Sequence, residues 1–199
     1  VRTNTVFVPL EQFTVNLGAD TLVARGAQWK YFKGLSEPSG GTLDWTQPSF
    51  DDSAWDSGPS GIGYADNDDA TVLSDMQNGY TTVYARHAFA VADPEGIETM
   101  EFAIDYDDGF IAFLNGVEIA RGNAGVAGTY PAYGSVASAQ REAGAYQVFD
   151  VSEALVAGTN VLAVVGLNLT IDSTDFSLIP ELRMGGVVGE GCTGEGGIS

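Results

Sequence analysis

Two groups of acidic residues have the types and spacing that a hard cation requires. Asp107 and Asp108 are adjacent and precede a predicted hairpin, and a second acidic run occupies positions 66–69. Adjacent carboxylates repel each other, and a divalent cation with oxygen ligands relieves that repulsion. We therefore predict a calcium site, whose candidate ligands are Asp107, Asp108, Asn115, Asp66 and Asp68. The alternative for the Asp107-Asp108 pair is a turn in which the carboxylates accept hydrogen bonds from backbone N–H groups.

Aromatic and polar side chains in the predicted loops have the chemistry of a sugar-binding surface. Aromatic rings present flat apolar faces on which sugar rings can stack. Arginine and asparagine side chains can hydrogen-bond to sugar hydroxyl groups. The candidate carbohydrate-binding residues are Trp45, Tyr130, Tyr133, Arg121 and Asn123.

The residue types needed for nucleophilic or histidine-based catalysis are not combined in any motif. His87, the single histidine, lies in the middle of a predicted strand, and the chain has no G-x-S-x-G sequence. Its 27 acidic residues always offer some pair suited to glycoside hydrolysis, but no pair stands out. We predict that the chain is not an enzyme.

The charge of the chain argues against two classes of partner. Its 27 acidic residues face only 8 Lys and Arg residues, which gives a net charge of −19 at pH 7. Such a surface repels phosphate backbones and anionic headgroups, so we predict no nucleic-acid partner. No apolar run approaches the ~20 residues of a membrane-spanning helix, so we also predict no membrane insertion. Cys192 is the single cysteine, so its thiol is free or pairs with another chain.

Strand-type alternation and turn signals dominate the 199 residues, of which 26 are glycine. The clearest signal is Asn115-Gly116 between two apolar segments, because both positions of a two-residue hairpin turn require a positive φ. Residues 83–91 and 100–106 alternate in polarity, and residues 161–169 and 176–184 are further strand-type segments. Residues 34–82 have mostly loop composition. The pattern predicts an all-β sandwich with almost no helix.

Eight short motifs between Leu22 and Met184 carry a family resemblance. They are Trp29-Lys30-Tyr31, Phe50-Asp51-Asp52-Ser53-Ala54-Trp55, Gly61-Ile62-Gly63-Tyr64, Tyr84-Ala85-Arg86-His87-Ala88-Phe89, Asp107-Asp108-Gly109, Asn115-Gly116-Val117-Glu118, Gly158-Thr159-Asn160-Val161-Leu162-Ala163-Val164 and Ser173-Thr174-Asp175-Phe176. As a set they resemble the galactose-binding-domain-like jelly-roll modules of secreted bacterial proteins. The resemblance implies a jelly-roll β-sandwich over residues 21–184, with Trp29 and Trp55 in its core. It implies no single function, because the fold carries sugar binders, enzyme accessory domains and structural modules.

Two details of the resemblance bear on the candidate sites. A similar Asp-Asp turn in the PA14-type sugar-binding modules is associated with calcium, which supports the prediction for Asp107 and Asp108. Members of the compared family often carry a polar pair where this chain has Leu167-Asn168. The departure argues against a family polar site at that position.

The two ends of the chain lie outside the resemblance. Residues 1–20 alternate as a strand does, and residues 185–199 form a glycine-rich tail with the composition of a linker. We predict that residues 1–20 are a strand arm that pairs with the sheet of a neighbouring copy and builds a fibre, a homo-polymer. The predicted assembly residues are Val6, Val8, Leu10, Phe13, Val15 and Leu17.

Two other functions remain open. The alternative to the fibre is a carbohydrate-binding module, supported by calcium, whose partner is a polysaccharide. A third possibility is an accessory domain of a larger enzyme. A start at Val1 is typical of a processed secreted protein and equally of a piece of a longer one, and we predict an extracellular or cell-surface location. Asn168-Leu169-Thr170 matches the N-glycosylation sequon, a match that chance also produces.

Overall fold

The chain folds mainly into β-strands, as the alternating sequence pattern predicts. The computed structural model describes residues 21–65, 67–153 and 155–184. Its strands are β1 (Thr21–Val23), β2 (Gln28–Lys33), β3 (Asp56–Pro59), β4 (Ile62–Gly63), β5 (Thr71–Val72), β6 (Thr82–Val91), β7 (Met100–Asp107), β8 (Gly109–Leu114), β9 (Val117–Gly122), β10 (Gln147–Val151), β11 (Gly158–Leu167) and β12 (Ser177–Met184). A 3₁₀ turn at Asp44–Thr46 is the one helical element in these ranges. The predicted all-β class is confirmed.

Two antiparallel sheets form the sandwich. The larger sheet has six strands in the order β3-β2-β6-β11-β8-β9, and the smaller has four in the order β1-β12-β7-β10. Two short parallel strands, β4 and β5, pair beside them. Asn115 and Gly116 join β8 to β9 with φ values of 51° and 89°, so the predicted hairpin turn forms.

The main core lies between the two large sheets. Phe102, Ile104 and Tyr106 project from alternate positions of β7, and Phe110 and Leu114 project from β8 to meet them. The rings of Tyr106 and Phe110 lie 4.6 Å apart in an edge-to-face arrangement. Burying each large apolar side chain contributes about 1.5–3 kcal/mol. The alternation visible in the sequence is therefore the division between core and outer faces.

A second apolar cluster covers the outer face of the six-stranded sheet. Its sheet residues alternate with those of the main core, and two tryptophans from the segment between β2 and β3 close over them. The buried members are Trp45, Trp55, Tyr84, Ile111, Phe113, Val161, Ala163 and Val165. We call residues 34–55 loop A. Loop A is long because it supplies the second layer of this face, and Trp29 and Trp55 are both buried, as predicted.

The predicted assembly arm and the glycine-rich tail lie outside the described residues. The apolar residues predicted to mediate assembly, between Val6 and Leu17, lie there too. The described residues carry no observation that favours a fibre.

Within the described residues, no helix is both long and apolar enough to cross a membrane.

Candidate functional site

Three carboxylates from three separate segments meet at one end of the four-stranded sheet. Asp107 ends β7, Glu142 lies in the long connection between β9 and β10, and Asp175 precedes β12. One carboxylate oxygen of each lies within 4.8 Å of the other two. Asp107 is buried, Asp175 is half-buried and Glu142 is exposed. The group offers oxygen ligands of the kind that a hard divalent cation takes, and its exposed member leaves a path from solvent.

The electrostatics of this group centre on Asp107, which is 2% exposed. Burial raises the pKa of Asp107 to about 8, and the neighbouring charges of Asp108 and Asp175 add to the rise. Without a cation, the buried carboxyl therefore holds a proton at neutral pH. A bound cation would displace that proton and lower the repulsion within the group.

Asp108 links two loops by accepting hydrogen bonds from their backbone N–H groups. Its Oδ1 accepts a hydrogen bond from the N–H of Arg141 at 2.9 Å, and its Oδ2 accepts one from the N–H of Leu169 at 2.7 Å. Both oxygens of Asp108 thus accept hydrogen bonds from backbone N–H groups, but these groups belong to distant segments and not to a local turn. Asn123 was predicted to contact a sugar. In the structure its Nδ2 donates to the backbone oxygen of Asp108 and so links the two loops.

The prediction that Asn115 shares a cation with Asp107 and Asp108 is wrong. Asn115 lies at the far end of β8, and a strand of this length separates it from Asp108 by about 20 Å. Its Oδ1 accepts a hydrogen bond from the N–H of Val161, and its Nδ2 donates to Oδ1 of Asn160. Asn115 therefore holds the hairpin turn against β11.

The second predicted acidic group lies beside the first. The hydroxyl of Ser177 donates to Oδ1 of Asp69 at 3.0 Å and approaches Oδ2 of Asp68 at 3.4 Å. Ser177 is the cross-strand partner of Asp107, so both acidic groups flank the start of β12. Oδ1 of Asp68 is buried and hydrogen-bonds to none of the described residues. Asp66 lies outside the described residues.

A cleft opens on the outer face of the six-stranded sheet. We call residues 123–133 loop B, and the cleft lies between loops A and B. Its floor is buried and consists of Trp45, Tyr84, Ile111, Phe113 and Val165. Its mouth is partly or fully exposed and consists of Glu37, Thr42, Leu43, Tyr130 and Pro131. The floor is aromatic and aliphatic, the mouth combines polar Glu37 and Thr42 with apolar Leu43 and Pro131, and the space between them has room for about one water molecule.

Trp45 and Tyr130 have different places in the cleft. The ring of Trp45 packs against Tyr84 at 5.1 Å and Phe113 at 5.7 Å and is 2% exposed, so it is not the surface platform that the sequence predicts. Tyr130 is half-buried and rests on Phe113 at 5.8 Å, with part of its ring at the mouth. Tyr133 is 47% exposed, and its backbone N–H donates to Oε1 of Glu37. Tyr130 and Tyr133 are therefore the predicted aromatic residues that solvent reaches.

A buried arginine holds loop A in place. Arg86 on β6 donates to Oδ2 of Asp52 at 2.7 Å, and its guanidinium also donates to the backbone oxygens of Trp45, Gln47 and Phe50. Because these bonds hold the 3₁₀ turn and the residues that follow it, they fix the position of Trp45 in the floor. No motif in the sequence marked Arg86 for this role.

A second arginine shapes loop B. Arg121 forms a bidentate pair with Glu118 and donates to the backbone oxygens of Ala124, Val126 and Thr129. Its guanidinium donates to five oxygen atoms of the chain itself, so the predicted contact between Arg121 and a sugar gains no support from the structure. Arg121 instead sets the position of Tyr130 at the mouth of the cleft.

The glycosylation prediction for Asn168 meets a steric obstacle. Asn168 is 1% exposed, and its Nδ2 donates to the hydroxyl of Tyr64 and the backbone oxygen of Asp175, both at 3.2 Å. A glycan on this nitrogen has no room in the folded domain.

Comparisons with known proteins identify the fold and no family. No protein-family model and no curated protein matches the sequence. A β-glucuronidase from an uncultured Clostridium species superposes on 90% of this chain with a TM-score of 0.51 and 15% identity. A glycosyl hydrolase family 2 member from Bacteroides cellulosilyticus covers 82% with a TM-score of 0.53 and 13% identity, and a Bacteroides uniformis β-glucuronidase covers 83% with a TM-score of 0.51 and 14% identity. The match spans 30%, 20% and 18% of those three proteins, respectively. At such identities the likeness establishes the β-sandwich fold alone.

Proposed function

We propose that this chain is a non-catalytic, galactose-binding-like domain that binds a carbohydrate in the cleft between loops A and B, and that it works outside the cell as one part of a longer protein. The observation that carries the proposal is the cleft itself, in which the half-buried ring of Tyr130 and the exposed side chains of Glu37 and Thr42 lie at the mouth above a buried aromatic floor. The fold likeness to portions of carbohydrate-processing enzymes supports the same class of ligand.

The chemistry of the cleft suits a neutral sugar. The exposed part of Tyr130 offers an apolar face to the C–H groups of a sugar ring, and Glu37 at the mouth accepts hydrogen bonds from hydroxyl groups. The net charge of −19 favours a neutral ligand over an anionic one. Recognition would then depend on stacking and hydrogen bonds rather than on ion pairs.

Tyr130→Ala tests the proposal. We expect the substitution to weaken binding of the recognised polysaccharide roughly tenfold or more, because it removes the stacking face at the mouth. Affinity gel electrophoresis against soluble glucans, mannans, galactans and xylans would find the ligand, and calorimetry would measure the change. Val148→Ala on the exposed edge strand β10 is the matched control and should bind as the unaltered chain does. Failure of every polysaccharide to bind, or equal binding by Tyr130→Ala, would contradict the proposal.

Calcium support is part of the proposal, and the group of Asp107, Glu142 and Asp175 supports it by offering three oxygen ligands close together. Because a cation held by the folded chain stabilises it, calcium at 100 times its Kd should add about 2.7 kcal/mol to the free energy of unfolding. Thermal unfolding with calcium, with magnesium and with a chelator measures the effect. Glu142→Gln should remove the response at little cost to the fold, since Glu142 is exposed. Identical unfolding curves in calcium and in chelator would rule out a cation at this site.

A further inference from the structure

A cavity of about 230 Å³ opens at one end of the sandwich, away from the Asp107 group. We call it the end cavity, and it lies between the connection from β6 to β7 and the residues that follow β10. Met100 lines it at the start of β7 and Asp107 ends the same strand, so about 20 Å separate the end cavity from the carboxylates. About 10–15 Å³ of such space holds one water molecule, so the end cavity admits a side chain of many atoms.

The floor of the end cavity is apolar. Met100, Val151 and Leu155 line it and belong to the buried main core. Ile97 also lines it and is half-buried against the same core. Apolar surface that an occupant removes from water contributes to its binding. The floor therefore favours an occupant with an apolar stem.

The mouth of the end cavity is acidic. Glu98 is exposed and Glu153 is half-buried, and neither carboxylate forms an ion pair with any residue that the structure describes. The two segments that build the end cavity, residues 92–101 and 147–158, contain no lysine or arginine. A field of one sign over an apolar floor favours a cationic occupant. The acidic residues of the two segments are Asp93, Glu95, Glu98, Glu101, Asp150 and Glu153.

Two of these acidic residues repel each other across the sheet. Asp150 on β10 is the cross-strand partner of Glu101 on β7. Like charges in directly opposite positions destabilise a sheet. Arg183 lies on the other side of Glu101, but its guanidinium bonds to Glu181. A cationic group beside Asp150 would relieve the repulsion.

The end cavity adjoins an unpaired sheet edge. β10 is the last strand of the four-stranded sheet, and among the described residues only β7 pairs with it. Val151 at the end of β10 lines the end cavity, and Val148 on the same strand is 50% exposed. An unpaired edge offers backbone N–H and C=O groups to an added strand. A chain that pairs with β10 would therefore run directly to the mouth of the end cavity.

We propose that an extended segment of a partner protein pairs with β10 and places one long basic side chain, lysine or arginine, in the end cavity. The methylene groups of that side chain would lie along the floor, against Met100 and Leu155. Its charged end would turn outward to Glu98 and Glu153, as long basic side chains do at apolar surfaces. Main-chain hydrogen bonds along β10 would supply affinity, and the basic side chain would supply specificity.

A second copy of this chain is a poor occupant of the same site. The net charge of −19 makes two copies repel each other. Both lysines, Lys30 and Lys33, lie on β2, which already has a paired strand on each side. The charge of the end cavity therefore favours a different, basic protein.

A pentapeptide with the sequence Thr-Val-Lys-Val-Thr, acetylated and amidated at its ends, tests the proposal on the full chain. Norleucine in place of lysine removes the charge, and N-methylated valines keep the side chains but block strand pairing. We expect calorimetry at low salt to show that the lysine peptide binds at least about tenfold more tightly than either analogue. NMR should show shifts of the backbone amide signals in residues 97–101 and 147–153, and none in loop B or around Asp107.

Glu98→Gln combined with Glu153→Gln is the decisive variant. We expect roughly tenfold weaker binding of the lysine peptide, about threefold for each carboxylate, because each would form a partly exposed ion pair. Asp93→Asn combined with Glu95→Gln is the matched control, because it removes the same charge at exposed positions of the same connection that do not line the end cavity. The control should change the affinity less than about twofold, since salt screens charges at a distance.

Selective weakening by the Glu98 and Glu153 variant, with NMR shifts confined to the end cavity and β10, would support the proposal. Equal weakening by both double variants would reduce the effect to general attraction between a cation and an acidic chain, and would overturn it. Equal binding of the norleucine or N-methylated peptide, or no binding of the lysine peptide, would also overturn it. So would a chain that sediments as a dimer and excludes the peptide. The carbohydrate cleft lies on the other sheet, so none of these results decides the proposed function.

Discussion

Replacing Arg86 with methionine should lower the free energy of unfolding by about 3 kcal/mol and abolish ligand binding in the cleft. The substitution leaves the Asp52 carboxylate without its cation, and it leaves the backbone oxygens of Trp45, Gln47 and Phe50 without their donor. Arg86 is almost fully buried, so water cannot replace these bonds without opening loop A. Because the same bonds fix Trp45, the floor of the cleft should be lost with them.

Chemical denaturation measures the stability change, and calorimetry with the bound polysaccharide measures the loss of affinity. Arg183→Met is the matched control, because Arg183 pairs with Glu181 at a more exposed position. A partly exposed pair of this kind contributes about 1 kcal/mol. Similar small effects from both variants would show that Arg86 does not anchor loop A.

Asp107→Asn should stabilise the chain increasingly as the pH rises, provided that divalent cations are removed. Burial and the neighbouring carboxylates raise the pKa of Asp107 to about 8 from the ordinary 3.8. Between these values the unfolded chain has released the proton and the folded chain still holds it. Stability therefore falls as the pH rises, by about 1.4 kcal/mol for each pH unit, until the folded chain also releases the proton near pH 8. Asparagine carries no such proton, so the variant avoids this loss.

Urea unfolding of both chains at pH 5, 6.5, 8 and 9 with a chelator present would measure the difference. The gap in favour of Asp107→Asn should widen by at least about 2 kcal/mol between pH 5 and pH 8 and then level off. Asp150→Asn, at an exposed position on β10, is the control and should show no such trend. A gap that stays constant with pH would mean that Asp107 ionises normally in the folded chain.

The sequence was sufficient for the features that depend on neighbouring residues. The hairpin at Asn115-Gly116 forms because its positive φ values are a local requirement that asparagine and glycine meet. The core positions of β7 follow from alternation, because this strand has one face toward the other sheet. These features together specify the all-β sandwich.

The candidate sites could be predicted only in part, because they depend on contacts between distant segments. Trp45 is in a segment of loop composition, and its burial depends on Arg86, which lies on a strand far along the chain. Asp107 was identified, but its partners Glu142 and Asp175 have no local signal that separates them from the other acidic residues. Asn115 was misassigned because closeness in sequence to Asp108 says nothing about the length of the strand between them.

The way in which both loops are anchored has a consequence for how this scaffold can change. Arg86 and Arg121 bind the loops almost entirely through main-chain carbonyl oxygens, which every amino acid provides. The side chains that the loops present at positions 37, 42, 43, 130 and 131 are therefore not tied to the anchoring itself. A combinatorial library at these five positions, with both arginines kept, should yield folded variants with new ligand preferences. The residues that hold the loops in place are thus different from the residues that would contact a ligand, which is what laboratory evolution of a binding protein requires.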